Sequence, residues 1–197
     1  MNERGRLFVA VIPPADVLDL LATIPREARS DVRYATREQW HVTLRFLGDA
    51  DIDDVSAALS RVDAPSVEAV LGPRVERLGR SVAMVPCGGL DPLAAEVRRA
   101  TAEIEHPVEA ARAFVGHLTI ARMKSARACP ASGFPVGAAF AVNEVHLVRS
   151  HLSRDGSRYE IVASRSLGDY RGLPLNADHR QQRYGQQEQK RHHAHDE

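Results

Sequence analysis

Two short stretches of this chain repeat a pattern able to move protons. Trp40-His41-Val42-Thr43-Leu44-Arg45-Phe46 and Gly116-His117-Leu118-Thr119-Ile120-Ala121-Arg122 both read His–aliphatic–Thr–aliphatic, 76 positions apart. Both are strand-like in composition. Strand side chains alternate faces, so His41 and Thr43 share one face while Val42, Leu44 and Phe46 point into a core. His117 and Thr119 stand the same way against Leu118 and Ile120. Each copy therefore sets an imidazole and a hydroxyl side by side. Paired imidazoles suit acid–base catalysis near neutral pH, one taking a proton from water and the other giving one to a leaving oxygen. Threonine hydroxyls can donate to phosphoryl oxygens, and an arginine can balance charge in the transition state. Phosphodiester cleavage uses this inventory. Acyl transfer does not, because there is no GxSxG elbow and neither cysteine has a recognisable partner. A lone His-x-Thr on a strand is usually structural, and the matched pair is what carries the functional reading. His106, His146 and His151 have no such repeat and are assigned structural or surface roles.

The elements that must position these motifs alternate between strand and helix. Leu7–Ile12 is a β-rich run closed by Pro13-Pro14, and Ala15–Ala28 carries aliphatics at helical spacing. Trp40–Leu47 reads as a strand and Asp51–Val62 as an acid-started helix. Ser66–Arg77 and Ser81–Pro86 read as strands joined across Leu78-Gly79-Arg80. Asp91–Glu105 is a further amphipathic helix. Strands follow at Ala113–Met123, Phe140–Arg149 and Arg158–Ala163, the last two joined through Asp155-Gly156. The fold class expected is α+β with mostly antiparallel sheet. No glycine-rich phosphate loop follows a strand, so Rossmann and P-loop folds are excluded. Residues 1–175 form the expected folded domain. The tail, 176–197, is rich in Gln and His, lacks Val, Ile, Leu, Met and Phe, and is expected to be disordered. Its His192-His193-x-His195 cluster could hold a metal weakly, or simply be solvated.

The 197 residues carry 26 Lys+Arg against 26 Asp+Glu, a net charge of zero. Gripping long nucleic acid by its backbone needs a cation surplus and is excluded, whereas binding one strand end in a small cationic cleft is not. No apolar run approaches the ~20 residues that span a bilayer. No signal segment opens the chain, and a cytoplasmic location is expected. Cys87 and Cys129, 42 positions apart with no CxxC spacing, are expected as free thiols. No carboxylate–His cluster asks for a metal, and no cofactor is expected.

At these residues the sequence resembles the 2H phosphoesterases, whose mark is two His-x-Thr/Ser-x motifs. It is most similar to the RNA 2′,3′-cyclic phosphodiesterases, also called 2′-5′ RNA ligases. The resemblance runs over residues 6–168, through LFVAVIPP, WHVTLRFLGD, GHLTIAR and LVRSHLSRDGSRYEIVASRSL. It implies a bilobal fold of two mostly antiparallel sheets, pseudo-twofold about a central cleft, with helices on the outer faces. It also implies hydrolysis of a ribose 2′,3′-cyclic phosphate to a 2′-phosphate without metal, the reverse ligation using the same pair. His41 is carried over as proton donor and His117 as proton acceptor, an ordering that lobe symmetry leaves exchangeable. Thr43 and Thr119 would hold non-bridging oxygens.

Arg122 matches the arginine that closes the second motif, but ideal alternation puts it opposite His117, so it needs twist, a bulge or the strand end to reach the cleft. Arg45 lies on the histidines' face by parity and is either a phosphate ligand or rim electrostatics. Phe8 matches an aromatic position able to stack on the terminal base, with a core aromatic as the alternative. Trp40 is read as packing beside the first motif, and Tyr159 as packing at the cleft's border. The expected partners are RNA ends or nucleotides bearing a 2′,3′-cyclic phosphate, the expected state a monomer. Two rivals stand beside this reading: a phosphodiesterase of a small cyclic-phosphate metabolite, and a noncatalytic RNA-end-binding module.

Overall fold

A computed structural model describes residues 3–104, 113–124, 128–153 and 156–169. Within them the chain runs β1 (Arg4–Val11), α1 (Ala15–Ala22), β2 (Val32–Tyr34), β3 (Val42–Asp51), α2 (Ile52–Ser60), β4 (Val67–Leu71), β5 (Glu76–Leu78), β6 (Val82–Gly88), α3 (Asp91–Ala100), β7 (His117–Met123), β8 (Ala138–Val142), β9 (Glu144–Ser153) and β10 (Gly156–Ser166). The expected tail, His106 and Asp155 lie outside the described residues.

All strands pair antiparallel, along the path β10-β9-β1-β3-β7-β6-β4-β8, with β2 beside β7 and β5 beside β6. The path divides into two halves of four strands, with β2 and β5 added to the second. They form one continuous curled sheet rather than two separate ones, joined where β3 meets β7 through Val42 opposite Leu118. Those residues are the middle of the two His-x-Thr motifs, so the pseudo-twofold axis passes between the motifs themselves. An antiparallel pair centred there brings His41 toward Thr119 and His117 toward Thr43.

The same irregularity recurs in both lobes. Along β1 and β3 the register runs from Ala10–Thr43 to Val9–Arg45, leaving Leu44 as an extra residue. Along β6 and β7 it runs from Met84–Thr119 to Ala83–Ala121, leaving Ile120 extra. Each motif threonine is therefore followed at once by a β-bulge. An extra residue in a period-two strand exchanges the faces of everything beyond it. Burial records the exchange: Leu44 and Arg45 are both buried and Phe46 exposed, as Ile120 and Ala121 are both buried and Arg122 exposed.

One main core fills the space behind the sheet, where Val55 and Leu59 of α2 and Leu93, Ala94 and Val97 of α3 pack against Val42, Leu44, Leu118 and Ile120. The acid-started helix begins as expected: Asp51 accepts from the backbone N–H of Asp53 and Asp54 at 3.0 and 3.1 Å, capping donors that have no helical partner. Helix α1 stops at Ala22 instead of Ala28, because Pro25 disfavours helical backbone before it. The long strand expected at Ser66–Arg77 is cut at Gly72-Pro73, where Gly72 has φ +114°. The hairpin across Gly79 is present, with φ +59° at that glycine. Asn143 divides the run expected at Phe140–Arg149 into β8 and β9. Cys87 and Cys129 are free and buried. No helix among the described residues is long and apolar enough to cross a membrane.

Candidate active site

The faces of the two lobes opposite the helices line a cleft of about 1240 Å³. His41, Thr43, His117, Thr119 and Arg122 all line it. The two imidazoles are held alike: His41 Nδ1 lies 2.8 Å from the carbonyl of Gln39, and His117 Nδ1 lies 2.7 Å from that of Val115. A carbonyl only accepts, so each Nδ1 carries a hydrogen and each neutral ring keeps its lone pair on Nε2. Symmetric backbone anchors two residues upstream thus fix both tautomers and leave Nε2 as the reactive nitrogen. Gln39 is itself fixed. It lies in a 3-10 turn, its Oε1 accepts from Thr36 N at 2.9 Å, and its Nε2 donates to the Ser157 carbonyl of β10 at 2.5 Å.

Arg122 reaches the cleft because of the bulge at Ile120, one of the three routes its parity allowed. The arrangement supplies two imidazole nitrogens, two hydroxyls and a guanidinium around one space. That is the equipment for in-line attack on a phosphorus centre, with proton transfer at both apical oxygens and donors for the equatorial ones.

The LigT-like phosphoesterase family model matches residues 11–71, which contain the first motif. The structure of Escherichia coli LigT complexed with 3′-AMP is 26% identical, covering 84% of this chain and 99% of that one, with a TM-score of 0.68. A Thermus thermophilus protein is also 26% identical, over 83% of this chain and 98% of its own, with a TM-score of 0.66. The chain is similar to the LigT-like phosphoesterases in its first motif and in its fold. A further phosphoesterase structure, 24% identical over 85% of this chain and 100% of that one, shares the fold with a TM-score of 0.71. None of the curated proteins matches the sequence significantly.

Two expectations are corrected by the equivalent bulge at Leu44 in the other lobe. Arg45 is not on the cleft face. It is buried at 9% exposure, and its guanidinium donates to the Arg98 carbonyl at 2.9 Å, the Thr101 hydroxyl at 2.6 Å and the Ile104 carbonyl at 3.0 Å. A cation at the end of α3 meets the negative end of the helix dipole and satisfies its terminal acceptors. Phe46, expected in the core, is exposed and lines the cleft.

Phe8 is on the cleft face but covered, at 3% exposure. It packs with Ala10, Val148 and Tyr159 as a floor beneath the first histidine, its ring 4.8 Å from His41. It supports His41 and has no open face for a base. Tyr159 sets its ring edge-on to His41 at 5.1 Å. Trp40 is buried beside the first motif, as read, under the guanidinium of Arg26 at 4.7 Å. His146 and His151 are engaged by Ser164 and Glu160, both at 2.8 Å. Among the described residues no three His, Cys, Asp or Glu are grouped so as to hold a metal ion.

Burial in this aromatic setting pushes His41 down to about 4; the Gln39 carbonyl opposes that shift, and the charges of His117 and Arg122 add to it. The unfolded chain therefore binds a proton at this position, near pH 6.5 and below, that the folded chain refuses. That contribution to stability is complete above pH 6.5 and is lost as pH falls toward 4, at about 1.4 kcal/mol per pH unit. His41→Gln should flatten the fall in urea-unfolding free energy between pH 7.5 and 5.5. Identical slopes in both proteins would contradict a His41 kept neutral by its surroundings.

Gly116 opens the second motif because a side chain does not fit there. A Cβ would stand 2.1 Å from the carbonyl oxygen of Cys87, within the contact where Cys87 N donates to Gly116 O at 2.9 Å. Gly116→Ala must push β6 and β7 apart at the residue before His117. The expected cost is about 1–3 kcal/mol of stability, with at least a tenfold loss of kcat/KM at a temperature where the variant is folded. Normal melting and turnover would refute the close approach.

Proposed function

We propose that this protein hydrolyses the 2′,3′-cyclic phosphate at RNA ends to a 2′-phosphate. The observation that carries the reading is the matched pair of backbone-anchored imidazoles, each with Nε2 free beside a threonine, in one cleft. Among the described residues, the charged side chains lining that cleft are four arginines, Arg6, Arg33, Arg98 and Arg122, and a single acid, Asp49. A chain with no net charge therefore concentrates positive charge where an RNA end would enter. The 3′-AMP bound by Escherichia coli LigT is a ligand of the same class.

In this mechanism His117 Nε2 takes a proton from water as the water oxygen bonds to phosphorus. The bond from phosphorus to O3′ breaks, and His41 delivers a proton to that oxygen. The products are a 2′-phosphomonoester and a free 3′-hydroxyl. Thr43, Thr119 and Arg122 donate to the non-bridging oxygens. With its low pKa, His41 acquires its proton when the phosphate anion is bound. The imidazolium so formed is a strong donor. Run backward, the same transfers close the 2′-phosphate onto the 3′-hydroxyl of the same ribose and release water, and a 5′-hydroxyl attacking in place of water would give a 2′-5′ linkage.

The low pKa also favours a second ordering, in which neutral His41 takes the proton from water and His117 gives one to O3′. A phosphodiester with p-nitrophenolate as leaving group separates the two, since that group departs without a proton. The variant lacking the donor regains turnover on it and the variant lacking the base does not. Substrate class is tested by comparing an oligoribonucleotide ending in a cyclic phosphate with simple cyclic phosphates such as glycerol 1,2-cyclic phosphate. Preference for the oligonucleotide supports the RNA-end reading. Turnover of the small esters alone assigns a metabolite substrate, and binding without turnover of any ester assigns an end-binding module.

A further inference from the structure

Gln39 is bonded at every polar group it has. Its N–H donates to the Thr36 carbonyl at 3.0 Å, and its Oε1 accepts from the Thr36 N–H at 2.9 Å, which closes the 3-10 turn. Its carbonyl accepts from His41 Nδ1 at 2.8 Å. Its Nε2 donates to the carbonyl of Ser157, 118 positions away on β10, at 2.5 Å. Strand β10 touches the first motif a second time, because Tyr159, two residues on, sets its ring against His41. One strand thus grips both the imidazole and the residue that orients it. The second motif is held differently. Its anchor, Val115, is 55% exposed, and an isopropyl group has nothing with which to bond a neighbouring strand.

We propose that Gln39 is a positioning residue, whose side-chain amide ties the carbonyl that orients His41 to β10 and so keeps Nε2 of that histidine aimed into the cleft. The proposal rests on the phosphodiesterase reading of the cleft and adds a residue on which only one of its two histidines depends. An imidazole keeps its hydrogen on the nitrogen that faces an acceptor. A free neutral imidazole carries it mostly on Nε2, so His41 stays Nδ1–H only while the Gln39 carbonyl stays in place. A short 3-10 turn has poor hydrogen-bond geometry of its own. The bond to Ser157 fixes this one from outside. Gln39→Glu separates the two bonds of the side chain: a carboxylate still accepts from the Thr36 N–H, as in a capping box, but has no hydrogen for the Ser157 carbonyl. Gln39→Met, of similar length, makes neither bond.

The test begins with proton–nitrogen correlation spectra of the imidazoles in the full chain at alkaline pH, which need no substrate and read which ring nitrogen carries hydrogen. The intact protein should show both His41 and His117 as Nδ1–H. In Gln39→Glu and Gln39→Met, His41 should move toward Nε2–H while His117 stays as it was. On a 2′,3′-cyclic phosphate, either change should lower kcat by about 10- to 100-fold with KM little altered. In a His41→Ala background the same changes should cost almost nothing further, since they act through the ring already removed. If Gln39→Met does not fold, Gln39→Glu, which keeps the turn closed, decides alone. An unmoved His41 in Gln39→Glu, or a full additional loss in the His41→Ala background, overturns the proposal. A tautomer shift confined to His41 in a protein that turns over no cyclic phosphate upholds the positioning and overturns the phosphodiesterase reading.

Discussion

His41→Ala and His117→Ala should each lower kcat/KM on a 2′,3′-cyclic phosphate by about 10²–10⁴-fold, the range for loss of one positioned acid or base. The double variant should fall little further, because a donor and an acceptor that act in one displacement are not additive. Neither change should unfold the protein. Both rings stand at the cleft, away from the main core, with Val42 and Leu118 between them holding the lobes together. Removing His41 also removes a group that resists protonation, so its variant should hold its stability better at acid pH. Steady-state kinetics beside thermal melts at two pH values checks all of this. A single variant with near-normal kcat/KM on every cyclic phosphate would end the two-histidine mechanism.

Arg45→Ala should do the opposite, unfolding more readily while the folded fraction still works. The guanidinium serves three acceptors at the end of α3, and Thr101, one of them, is fully buried and donates onward to the Val97 carbonyl at 2.6 Å. Leaving such acceptors unpaired should cost about 2–4 kcal/mol of unfolding free energy. Arg45→Lys should recover only part of it, since one ammonium cannot span the places that a planar fork reaches. Urea unfolding with kcat/KM measured at low temperature separates the effects. A large kinetic defect with unchanged stability would return Arg45 to the cleft.

What could be read from sequence divides at the bulges. The motif histidines and threonines precede Leu44 and Ile120, where strict alternation holds, and their shared face followed from spacing alone. Arg45, Phe46 and Arg122 lie beyond, where one extra residue exchanges inside and outside. Neither Leu44 nor Ile120 marks a bulge by type; each looks like one more aliphatic in a strand. The sign of the error is recoverable afterwards, since the same exchange in both lobes buries Arg45 and Ala121 and exposes Phe46 and Arg122. The repeat foretold two lobes, but not that they would join through the motifs' own middle residues, because strand order depends on pairing between segments distant in sequence. Strand β2, only three residues long and beside β7, carries no pattern of its own. The helices start within a residue of where their sequence signals stand and end earlier than their apolar pattern, at Ala22, Ser60 and Ala100.

The most direct test of the central claim is to incubate the protein, with EDTA present, with an RNA oligonucleotide ending in a 2′,3′-cyclic phosphate. The terminal phosphate of the product is then located by mass spectrometry and ligation sensitivity. The two-histidine cleft predicts complete conversion to a 2′-phosphate, unaffected by chelator. A 3′-phosphate, or a cyclic end left intact by an otherwise folded protein, would contradict it.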